Sequence, residues 1–112
     1  MQVETRHEGD VVIVELSGRL LIGEPTVALR DTVDELLAAG RRKIVLDVSD
    51  LARIDSSGVG ELVACLKTAR AAGARLVLLQ VKDRVRRILD LSQVLPLFES
   101  YDGEDAALAA LR

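Results

Sequence analysis

Aromatic residues make up only 2% of this 112-residue sequence, and tryptophan is absent. Nucleic-acid binders use a basic surface, and those that hold single strands stack bases on rings. Here the rings are missing and the formal net charge is −3, which sets direct nucleic-acid binding aside. The single cysteine, Cys65, has no partner for an internal disulfide, and His7 is the single histidine. Metal centres and nucleophile–base pairs that draw on these residues are poorly supplied, so no metal site and no cofactor is expected. No apolar run approaches the ~20 residues of a membrane span, and the first residues lack the pattern of a secretory leader. Neither membrane insertion nor export is expected, and the lone thiol fits a reducing, cytoplasmic setting.

What is present is a globular composition: 49% hydrophobic and 29% charged residues, enough for one domain over residues 1–112 with a core of its own. Residues 1–7 alternate loosely, with Gln2, Glu4 and Arg6 on one side, and lead into the turn signal Glu8-Gly9-Asp10. Residues 11–16 form a β-branched strand that ends at Ser17-Gly18, so the chain opens on a hairpin. Residues 19–23 read as a loop carrying the run Leu20-Leu21-Ile22. Pro25 suits a first helical turn. Leu29, Val33, Leu36 and Leu37 mark the buried face of a helix that stops at Gly40.

A buried strand follows over residues 43–48, then a loop, then a helix from about Ser57 to Ala72 with Val59, Leu62, Val63, Leu66 and Ala69 facing inward. Residues 75–80 read as another buried strand. Asp83 is placed to cap a third helix with Val85, Ile88, Leu89 and Leu91 turned inward. Pro96 breaks the chain before a short strand over residues 97–100, and Asp102 begins a last helix anchored by Leu108 and Leu111. This alternation predicts an α/β fold with a mostly parallel central sheet, an N-terminal antiparallel hairpin and about four helices.

The best functional lead is Asp55-Ser56-Ser57-Gly58, a small polar segment where a strand hands over to a helix. Open α/β sheets keep their sites at the carboxyl ends of strands. Two readings stand side by side. A serine or aspartate at a helix start caps free backbone N–H groups, which accounts for Ser57 and even Asp55. Alternatively, a helix N-terminus tolerates a phosphate, so a phosphorylated serine there changes a surface patch without disturbing the fold.

The sequence resembles the STAS domain family, and within it the bacterial anti-sigma factor antagonists. Its carriers are Gly18, residues 43–48 leading into Asp50-Leu51, and above all Ile54-Asp55-Ser56-Ser57-Gly58-Val59-Gly60. Later, Gly73-Ala74-Arg75-Leu76-Val77-Leu78 and Val85-Arg86-Arg87-Ile88-Leu89-Asp90-Leu91-Ser92 add to the likeness. The resemblance implies a partner switch that regulates transcription. The unmodified protein binds an anti-sigma factor with serine kinase activity, phosphorylation breaks that complex, and a serine phosphatase restores it. The implied acceptor is Ser56, with Ser57 as second choice. The implied partner surface comprises Asp55, Ser56, Ser57, Gly58 and Val59. Glu61, Ala64 and Thr68, off the apolar stripe and next to the serine loop, and Leu21 and Ile22 on the loop expected at the same sheet edge, are predicted from their positions to extend it. Many family members carry an acidic Gly-Glu-(Leu or Ile)-Asp segment after the second strand, whereas Arg19 and Leu21 stand in place of both acids here.

Rival readings are weaker. A hydrolase with Ser56 as nucleophile lacks Gly-x-Ser-x-Gly, and its one candidate base, His7, falls in the opening hairpin. A nucleotide site at residues 56–60 lacks both phosphate-loop fingerprints. A non-switching STAS assembly module, in a stress-signalling or lipid-transport complex, remains as the alternative. Cys65 reads as a packing residue, and Arg84, Arg86 and Arg87 as a solvated helix face.

Overall fold

The computed structural model describes all of Met1–Arg112. The chain runs β1 (Gln2–Glu8), β2 (Val11–Leu20), α1 (Glu24–Ala38), β3 (Lys43–Ile54), α2 (Ser56–Ala71), β4 (Arg75–Leu79), α3 (Asp83–Leu91), a 3-10 turn (Leu95–Leu97), β5 (Ser100–Tyr101) and α4 (Glu104–Leu111). The five strands form one sheet in sequence order. β1 pairs antiparallel with β2, and every later pairing is parallel. The expected α/β architecture is therefore what the chain adopts.

Strand alternation divides the core in two. Val12, Val14, Leu16, Ile44, Leu46, Leu76 and Leu78 point to one face, where Leu29 and Val33 of α1, Leu62 and Leu66 of α2, and Val85 and Leu89 of α3 cover them. Val11, Ile13, Val45, Val77 and Leu79 point to the other, where Ala107, Leu108 and Leu111 of α4 are the helical cover. The central strands are thus apolar on both faces, which is why they read as unbroken hydrophobic runs. One short helix does not cover the whole second face. Glu4, Glu15, Ser17, Asp47, Ser49 and Asp50 line a shallow hollow of about 110 Å³ there.

The helix stops at Gly40 and Gly73 hold, each glycine having a positive φ just past the helix. Several other boundaries differ from expectation. β2 continues to Leu20, so Arg19 and Leu20 are strand, not loop, and Leu20 is fully buried. β3 continues to Ile54 rather than ending at Val48. Its polar Asp47 and Ser49 sit on the half-open face, where the Ser49 amide donates to Asp47 Oδ1 at 3.0 Å. The register with β2 gives β3 one extra residue between Asp47 and Asp50 and another between Leu51 and Arg53, two bulges that bend its second half. Lys82, not Asp83, is the N-cap of α3, and Asp83 lies inside its first turn. Leu91 is 74% exposed rather than inward, because α3 ends there. The expected strand over residues 97–100 is a 3-10 turn followed by a two-residue strand, since Pro96 favours the tight turn. α4 begins at Glu104 rather than at Asp102, with Gly103 as its N-cap.

Candidate functional site

The Asp55 junction is where β2, β3 and α2 meet. Asp55 is the N-cap of α2, with the extended backbone (φ −107°, ψ −177°) that this position requires. Its Oδ1 accepts the Gly58 amide at 2.8 Å, and its Oδ2 accepts the Ile22 amide at 3.0 Å. Its own amide donates to the Leu20 carbonyl at 3.3 Å. One carboxylate thus fastens the end of β3 both to the start of α2 and to the loop after β2. Two N–H donors, Ile22 first and Gly58 second, hold the Asp55 carboxyl below its ordinary pKa of 3.8.

Gly58 is required by packing. A Cβ at this position would stand 2.3 Å from the Leu20 carbonyl oxygen and 2.8 Å from Ile54 Cγ1. The helix can start this close to the sheet only because the residue has no side chain. The glycine is therefore filled from below by β2, which removes the chief support for a phosphate-cradling loop.

Because Asp55 takes the capping role, neither serine does. Ser56 is exposed and Ser57 half-buried. Ser56 is the first residue of a 16-residue helix whose first turn carries no acidic side chain. Its hydroxyl stands at the positive end of the helix dipole.

The structure gathers part of the expected surface and rejects part. Ser56, Ala64 and Thr68 are exposed along one side of α2, and Ile22, at 74% exposure, stands on the loop that Asp55 holds. Leu21 is half-buried. Gly58 and Val59 are buried, Val59 within the main core, so neither offers a side chain to a partner. Glu61 is also misplaced by the expectation: it is 6% exposed, not on the outer face. Arg30 of α1 reaches over it, with Nη2 at 2.5 Å and Nε at 3.2 Å from Glu61 Oε1, and Cys65 Sγ lies 3.7 Å from Oε2. The ion pair satisfies the carboxylate, and Arg30 takes the exposed position in its place. Three surface residues were missed in the sequence: Gly60 and Lys67 on α2, and Val27, 46% exposed on α1. Val27 lies off the stripe formed by Leu29 and Val33, which was the available signal.

His7 pairs with Val12 near the amino end of β2, whereas the serines follow the carboxyl end of β3, where Leu20 pairs with Ile54. Strand rise puts these ends on the order of 25 Å apart, so His7 cannot act as a base for Ser56. No helix is long and apolar enough to cross a membrane.

Comparison with known proteins gives a consistent result. The STAS domain profile matches residues 2–107. An anti-sigma F factor antagonist from Paenibacillus polymyxa is 34% identical, over 99% of this chain and 95% of its own. A Thermotoga maritima structure, provisionally assigned as an anti-sigma factor antagonist, superposes with a TM-score of 0.89 at 29% identity, over 98% of this chain and 94% of its own. The Bacillus cell fate determinant SpoIIAA in its phosphorylated form superposes with a TM-score of 0.75 at 21% identity, over 99% of this chain and 100% of its own. This last likeness is one of fold.

Proposed function

The chain belongs to the STAS domain family, and we propose that it acts as an anti-sigma factor antagonist whose partner binding is switched by phosphorylation of Ser56. Unmodified, it binds an anti-sigma factor with serine kinase activity through Ser56, the Leu21-Ile22 loop, and Ala64 and Thr68 on α2. The kinase transfers a phosphoryl group to the Ser56 hydroxyl, the complex separates, and a serine phosphatase resets the surface. The sigma factor is thereby freed or withheld, which makes the protein a regulator rather than an enzyme.

One observation carries this reading. Asp55 supplies the helix cap, so Ser56 is exposed at a helix N-terminus without the capping duty that would otherwise explain it. A phosphate there gains from the helix dipole, and the fold has no reason to open. It also adds about −1.5 to −2 charges one residue from the Asp55 carboxylate. That like charge strains the grip of Asp55 on the Ile22 amide, so the apolar loop and the serine change together. The phosphorylated form of SpoIIAA has the same fold, which supports a modification compatible with this architecture.

The test is phosphosite mapping by mass spectrometry on protein isolated from its native cells with and without stress, followed by partner pull-down. Phosphate on Ser56 is expected, with Ser56→Ala binding constitutively and Ser56→Asp binding weakly. Phosphate on Ser57 would keep the mechanism and move the acceptor. Its absence under all conditions would overturn the switch and favour a constitutive assembly module.

A further inference from the structure

β3 is paired on both sides only in its first half. β4 accompanies it from Lys43 to Asp47, whereas β2 stays with it to Ile54. Past Val48, residues 49–54 have no paired strand on the side facing away from β2. Such an edge is a template for another extended chain.

The edge opens on a groove. Ala52, Arg53 and Ile54 form one wall and Arg84, Val85 and Ile88 of α3 the other, enclosing about 250 Å³. The depression continues past Leu51 to Lys82 and Asp83. Its floor is apolar, and its rim carries Arg53, Lys82 and Arg84, all exposed. None of these three cations lies within ion-pair distance of a carboxylate. With Asp83 the one carboxylate among them, the rim is net positive in a chain whose formal net charge is −3.

We propose that this groove docks an extended, acidic segment of a protein partner. The segment adds hydrogen bonds to the free edge of β3, sets alternate apolar side chains toward Val85 and Ile88, and directs carboxylates to Arg53, Lys82 and Arg84. The charges act as a filter as well as an attraction, because a basic or neutral strand meets them at a cost. A nucleotide is poorly served: the depression is shallow, and neither the one tyrosine nor the one phenylalanine lines it to stack a base. The two bulges bend the edge, which suits a flexible segment and not the preformed strand of a second copy. This docking does not depend on Ser56.

The test uses the whole chain and a blocked peptide of alternating glutamate and valine, about eight residues long. Amide chemical shifts by NMR should move at residues 51–54 and 84–88, and amide exchange along that edge should slow. Arg53→Glu/Arg84→Glu, two exposed sites whose folding is checked by circular dichroism, should weaken binding about tenfold or more. A lysine–valine peptide should not bind. The proposal fails if no shift develops at millimolar peptide, if shifts fall elsewhere, or if the double variant or the lysine peptide binds equally well. It also fails if ATP moves these amides and the peptide does not, which would mark a nucleotide site. A dimer in sedimentation that the double variant abolishes would assign the groove to a second copy instead.

Discussion

Asp55 and Ile22, 33 residues apart in sequence, are joined by a 3.0 Å hydrogen bond from the Ile22 amide to Asp55 Oδ2. The same carboxylate caps α2 through Oδ1, so the serine helix and the apolar loop share one anchor. A phosphate beside that anchor is felt by both.

Asp55→Asn leaves one carbonyl oxygen to serve two amides. The Ile22 amide should exchange faster by NMR while core amides keep their protection. The pH dependence follows from the depressed carboxyl. Its folded pKa lies below 3.8, so its contribution is complete above the unfolded value and is lost as pH falls through the folded one. In denaturant titrations below about pH 4, wild type should lose stability more steeply than the variant. Equal slopes would show that these bonds do not favour the ionised form.

Two glycines of the same helix should respond in opposite directions. Gly58→Ala drives a Cβ to 2.3 Å from the Leu20 carbonyl oxygen. Because this atom belongs to a buried strand, urea unfolding should show a loss of about 2–3 kcal/mol. Nothing lies within 4 Å of a Cβ at Gly60, and Gly60→Ala should stabilise by roughly 0.5–1 kcal/mol through helix propensity.

Arg30→Ala removes the cation from Glu61, whose side chain is 5% exposed. The buried carboxylate is then left with little but the Cys65 thiol 3.7 Å away. Calorimetry should show melting lowered by several degrees, and Glu61→Gln in the same background should recover most of it. If Arg30→Ala melts as wild type does, the pair is not needed to keep that carboxylate buried.

Cys65 is 2% exposed, and burial first, then the Glu61 charge, pushes its thiol up to about 12. An aromatic disulfide reagent at about pH 8 should react only as fast as the protein opens. Rapid labelling of the folded chain would contradict this placement.

The sequence disclosed the fold well because the central strands are buried on both faces and the helices carry clear stripes. It disclosed the ends of β2 and β3 poorly. Ser49 and Asp50 look like loop residues, yet they sit in a strand beside an open, polar part of the sheet and a bulge. The Asp55 motif was legible as a site, but its division of labour was not. Whether aspartate or serine caps the helix depends on where the Ile22 amide lies, a contact with no local signature. Glu61 failed for a related reason: its helical position was visible, and the arginine that would bury it, 31 residues earlier, was not.

The sheet also separates charge. Glu4, Glu15, Asp47 and Asp50 gather in the hollow on the face that α4 leaves partly bare, while Arg53, Lys82 and Arg84 rim the groove beside α3. Even with Arg6 paired to Glu15 and Asp83 beside Lys82, the two patches differ in sign, which the net charge conceals. Within about 10 Å at moderate salt, an approaching partner feels a torque before it feels a surface. Collisions are turned toward productive orientations in advance. Ionic strength therefore governs how often such encounters succeed far more than how long the resulting complex lasts.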